Sequence, residues 1–76
     1  MITSTEVKNI IAQVLNVDVE KITDSLAIGD IEQWDSMGNM AIIAALEEKL
    51  GLEFPIEDLF ELNSVNSIIS EIEKFQ

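Results

Sequence analysis

Neither cysteine nor histidine occurs in this chain, and only four of its 76 residues are basic. Without cysteine there is no disulfide, no thiolate metal site and no sulfur nucleophile; without histidine the commonest general base and metal ligand is missing. Stability must therefore come from packing alone. The four basic residues face fifteen acidic ones, a formal net charge of −11, which argues against nucleic acid as a partner, because phosphate contacts need Lys and Arg. Basic protein surfaces are the natural partners. No apolar stretch approaches membrane-spanning length, and Met1-Ile2-Thr3-Ser4-Thr5-Glu6 lacks the basic start and apolar run of a signal peptide. A soluble, cytoplasmic chain without membrane insertion is expected.

What is present is enough to fold. A hydrophobic content of 47% is too high for a disordered acidic tail, and 76 residues suit one small domain, residues 1–76, with one core. Thr3 followed by Glu6 fits a capping box, and Val7, Ile10, Ile11, Val14 and Leu15 recur at helical spacing, which predicts a helix over about Ser4 to Leu15. Asn16 to Asp35 shows no sustained period, only scattered apolar residues, as in a loop pinned onto a core. A short turn is expected around Asp18 to Ile22 and a bend at Gly29-Asp30. So long a loop in so small a domain is usually functional.

A second helix should start at Asp35 or Ser36 and run to Leu50, stopped by Gly51 and kept from continuing by Pro55. Ile56 to Leu62 suits one or two helical turns, with Glu57 and Asp58 complementing the N-terminal dipole. Ser64 caps a last helix whose face is Val65, Ile68, Ile69, Ile72 and Phe75. The fold class is all-α: a small four-helix bundle of three longer helices and one short one.

The second helix is apolar on two sides. One stripe, Ile42, Ile43, Leu46 and Leu50, meets the core; the other, Met37, Met40, Ala41, Ala44 and Ala45, is interleaved with Glu47 and Glu48. A face of methionine, small residues and carboxylates suits docking against basic partners. The alternative is that Met37 and Met40 pack under the long loop while the acids form a solvated face. Gly38 in the first turn either permits close approach of a partner or is a tolerated end-turn glycine.

Ser36 stands at the start of this helix, beside unpaired N–H groups that favour an attached anion. Its plain role is an N-cap, but if Asp35 caps, Ser36 is free. A catalytic serine lacks a base to activate it; phosphorylation stays open, favoured at a helix start but opposed by the acidic surroundings. A covalently carried phosphate ester fits the position. Trp34 reads as a loop anchor covering the core edge, its N–H meeting water or a carbonyl. Asp30, Glu32 and Asp35 lack the spacing of a calcium loop and are at most weak attractors of a cation. No metal site is expected.

Together these residues resemble the acyl carrier protein family, the phosphopantetheine-bearing four-helix module of fatty acid, polyketide and related biosynthesis. The likeness spans nearly the whole chain. Its centre is Asp35-Ser36-Met37, similar to the family's Asp-Ser-Leu, followed by Ala45-Leu46-Glu47-Glu48-Lys49-Leu50-Gly51, with Phe54-Pro55 and Asn63-Ser64-Val65 in support. The resemblance implies that Ser36 receives 4′-phosphopantetheine from coenzyme A through a separate Mg²⁺-dependent phosphopantetheinyl transferase. It also implies that acyl groups ride on the arm's thiol as thioesters, and that Asp35, Met37, Met40, Ala44, Glu47 and Glu48 present the site to acyl-loading and acyl-using enzymes with basic surfaces. The chain would then be a monomeric, non-catalytic carrier.

Two departures stand out: Met37 replaces the usual leucine, and the Trp34-to-Met40 run with Gly38-Asn39 looks more like stand-alone carriers of specialised pathways, such as polysaccharide or secondary-metabolite assembly. A small or modified acyl cargo is favoured. Ile11, Ile42, Ile43, Leu46, Ile68 and Ile72 either line a cavity for that cargo or simply fill the core. The rival reading is an unmodified acidic helical interaction module on the same fold.

Overall fold

Each α-helix begins where a side chain satisfies backbone N–H groups that the helix itself leaves unpaired. The computed structural model describes residues 1–76 and contains three α-helices, α1 (Ser4–Leu15), α2 (Ser36–Leu50) and α3 (Val65–Glu73). A 3₁₀ helix over Ile56–Glu61 is the fourth, short member, and a single 3₁₀ turn lies at Val19–Lys21. There are no strands, and no helix is long and apolar enough to cross a membrane. Thr3 and Glu6 form the reciprocal capping box of α1. Ser64 and Ser67 do the same for α3, with Ser67 in place of the usual Glu or Gln. At the other ends, Asn16 and Gly51 adopt the left-handed conformation, with φ of 58° and 67°, that closes a helix and that Asn and Gly tolerate best.

The core is one cluster of fourteen buried apolar residues. Val7, Ile11, Ala12 and Leu15 enter it from α1, Ile42 and Leu46 from α2, and Val65, Ile68 and Ile72 from α3. Ile11, Ile42, Leu46, Ile68 and Ile72 are thus packed together as core, and of these Ile72 also borders a surface pocket with Met1, Ile2 and Val7. Ile43, expected in the same stripe, is only half-buried, because the second apolar side of α2 faces a surface groove. Phe75 likewise departs from the expected α3 face: it follows the helix, is 45% exposed, and meets Phe54 edge-on at 6.0 Å between ring centroids.

The long loop is ordered because its backbone groups are used. Ala27 and Ser64 form an isolated antiparallel bridge, flanked by bonds from Ile28 N–H to Asn63 C=O (2.8 Å) and from Val65 N–H to Leu26 C=O (2.9 Å). Ile22 and Leu26 add apolar anchors. At the far end of α3, buried Glu71 accepts a 3.2 Å bond from Lys74. That bond, ahead of the Coulombic pull of the same carboxylate, holds the Lys74 pKa above its ordinary value.

Gly38 has an internal reason rather than a partner-facing one. A Cβ there would lie 2.7 Å from the backbone oxygen of Gln33 and 3.2 Å from Leu15 Cδ2, so the loop and α1 close onto the first turn of α2 only over a bare Cα. Gly38→Ala should gain about 1 kcal/mol of helix propensity and lose more to overpacking, which typically costs 1–3 kcal/mol. The expected net result is a destabilisation of about 1 kcal/mol in urea unfolding; a stabilised variant would show that the close approach is not constraining.

Candidate functional site

Trp34, Asp35 and Asn39 together decide what Ser36 is free to do. Asp35 is the N-cap of α2: its Oδ1 accepts the Gly38 N–H at 2.7 Å, and its carbonyl accepts the Asn39 N–H at 2.8 Å. The cap role is filled, so Ser36 is released from it. The Ser36 side chain is exposed and makes no hydrogen bond within the chain. Among the first turn's amides, those of Ser36 and Met37 are left without intrachain acceptors. An exposed hydroxyl next to open N–H donors and the positive end of a fifteen-residue helix suits a phosphodiester at that oxygen. The residues present therefore fit a covalently attached phosphopantetheine.

Trp34 does more than cover the edge of the core. It is fully buried, and its indole N–H donates to Asn39 Oδ1 at 2.8 Å, the carbonyl oxygen of a side-chain amide. The Asn39 amide nitrogen in turn donates to Leu62 C=O at 3.0 Å. The first turn of α2, the loop before it and the end of the 3₁₀ helix are thereby tied through one side-chain amide. Its low helix propensity is the only local sign of this role.

Between α2 and the 3₁₀ helix runs an open groove of ≈ 560 Å³. Ser36, Met40, Ala44 and Glu47 line its α2 side, joined by Ile43, while Ile56, Leu59 and Phe60 line the other. Four of the residues singled out from sequence are thus brought together on one feature. Met37 (81% exposed) and Glu48 are on the surface outside that lining. Met40 is 73% exposed, so neither methionine packs under the loop. Glu47 also has an internal duty, accepting the Phe54 N–H at 2.9 Å, which holds the turn after α2.

The acids before α2 do not gather. Asp30 accepts the Ala27 N–H at 2.9 Å and Asp35 is the cap; no three acidic side chains of the chain form a ligand set. Ile56 and Phe60, 79% and 90% exposed, were not singled out in the sequence. Their signal was the pairing of two large apolar residues with Glu57, Asp58 and Glu61 in a segment too short to bury them all.

Comparison with known proteins identifies the family. A family profile described as a phosphopantetheine attachment site matches residues 5–72. An acyl carrier protein of Thermosynechococcus vestitus is 34% identical over 67 residues, covering 88% of this chain and 83% of that protein. One from Buchnera aphidicola is 36% identical over 67 residues, covering 88% and 85%. One from Bdellovibrio bacteriovorus is 35% identical over 69 residues, covering 91% and 88%. The chain belongs to the acyl carrier protein family, whose members are non-catalytic carriers of a covalently attached 4′-phosphopantetheine group.

Proposed function

We propose that Ser36 is the attachment residue of this carrier and that α2 presents it to the enzymes that load and unload it. The observation that supports this most is the freed Ser36 hydroxyl at the head of α2, with Asp35 already engaged as the cap. Attached there, the arm supplies a thiol on which acyl groups are held as thioesters. The chain itself offers the oxygen, an open helix N-terminus and an acidic face, but no histidine to take the proton, so a base on the modifying enzyme removes it. Fragmentation of the modified protein tests the assignment: the added mass belongs on the peptide containing Ser36, and its recovery on Ser64, Ser67 or another hydroxyl would overturn it.

Docking residues in this reading are Asp35, Met37, Met40, Ala44, Glu47 and Glu48, facing a basic enzyme surface. Glu48 is the clean place to test the charge, because it is exposed and unengaged whereas Glu47 also holds Phe54. Glu48→Lys should slow modification by a phosphopantetheinyl transferase several-fold at low salt, through association, and the deficit should vanish near ~1 M salt, where the Debye length is about 3 Å. Equal rates at low salt would remove Glu48 from the face. The chain acts in this reading as a monomer in the cytoplasm and serves a specialised pathway with a small or modified acyl cargo. The Met37 variation and the Trp34-to-Met40 run support that last point.

A further inference from the structure

Phe60 and Ile56 are the largest apolar side chains that the 3₁₀ helix leaves in solvent, at 90% and 79% exposure. Both line the groove that Ser36 also lines, with Met40 opposite. A protein that reaches Ser36 must therefore cover or border these two residues. The charge around them is mostly of one sign: Glu47 and Glu48 on α2 and Glu57, Asp58 and Glu61 on the 3₁₀ helix, against Lys49 and Lys74, the latter within Coulombic reach of Asp58 and Glu61. An apolar centre inside an acidic rim is the complement of an apolar hollow inside a basic rim.

We infer that Phe60 and Ile56 are apolar anchors for the phosphopantetheinyl transferase, which seats them in an apolar hollow rimmed by Lys and Arg while it works at Ser36. The inference rests on Ser36 being the attachment site and extends the docking face from α2 to the 3₁₀ helix. Charge and anchors then have separable effects. The acids steer the encounter and are screened by salt; the anchors remove apolar surface from water, a gain that salt does not screen. Truncating a seated aromatic at the centre of an interface costs about 30-fold in binding.

The test is steady-state modification by a broad-specificity phosphopantetheinyl transferase with coenzyme A and Mg²⁺, at low salt and at high salt, for wild type, Phe60→Ser, Ile56→Ser and Phe60→Leu. The expected result is a KM for the carrier raised about 30-fold by Phe60→Ser, less by Ile56→Ser, with kcat little changed. That penalty should persist at high salt, unlike the Glu48→Lys deficit, and Phe60→Leu should recover most of it. Thermal unfolding should be unchanged, since exposed side chains contribute little to the fold. KM values for both serine variants within twofold of wild type would overturn the anchors while leaving Ser36 in place. So would a wild-type dimer in sedimentation that Phe60→Ser dissociates without changing KM, which would assign the face to a second copy. Failure of wild type to be modified at Ser36 would take down both readings together.

Discussion

Trp34→Ala should remove a large part of the domain's stability. The side chain is fully buried in a core of only fourteen residues, and removing a buried Trp typically costs about 3–5 kcal/mol. A domain of this length has roughly 4–11 kcal/mol in total, so the loss takes from about a quarter of the margin to all of it. Two polar groups add to it. Without the indole N–H, Asn39 Oδ1 loses its 2.8 Å donor, and the amide that also holds Leu62 C=O is left less constrained. Trp34→Phe separates the contributions: it keeps most of the ring's volume, loses the hydrogen bond, and should cost about 1–3 kcal/mol. Urea unfolding followed by circular dichroism reads both. A Trp34→Ala protein within 1 kcal/mol of wild type would mean that Trp34 is not the keystone its burial indicates.

The arrangement around Trp34 also explains how a twenty-residue stretch without periodic structure positions a functional serine. The stretch is fastened twice along its path, by the bridge to Ser64 near its middle and by Trp34 at its close. Gly29 turns the chain with φ of 89° and donates to the Trp34 carbonyl at 2.8 Å. Asp35 then emerges in the geometry of an N-cap, and Ser36 follows as the first helical residue. Ser36 is placed by the loop's packing as much as by the helix it begins.

The parts of this molecule that were legible in its sequence are those set by neighbours in the chain. Thr3 with Glu6, Asp35 before Ser36, Gly51 after Leu50 and Ser64 before Val65 act within one helical turn, so caps and helix limits could be read directly. The all-α class followed from them, as did the resemblance that the family comparisons bear out. What was hidden depends on residues distant in sequence. Gly38 is required by Gln33 and Leu15, the latter on another helix. Asn39, a poor helix former by propensity, joins Trp34 to Leu62, 23 positions beyond it. Helical spacing groups Ile43 with Ile42 and Leu46, and spacing alone does not reveal which of two apolar sides meets a groove instead of the core. The exposure of Phe60 is hidden for a related reason: apolar character predicts burial on average, and only the packed fold shows which apolar residues find no room.

Ser36→Ala should leave the fold intact and remove the carrier's chemistry altogether. The hydroxyl has no partner within the chain, Asp35 retains the cap, and alanine is a strong helix former, so stability should change by less than about 0.5 kcal/mol. Its modification, in contrast, has no substitute oxygen at the head of α2. The decisive measurement is the intact mass of wild type and Ser36→Ala before and after incubation with coenzyme A, Mg²⁺ and a phosphopantetheinyl transferase. A gain of one phosphopantetheinyl group in wild type and none in folded Ser36→Ala is the predicted result. The same gain in both proteins, or none in folded wild type not already modified, would contradict the assignment of Ser36 as the carrier residue.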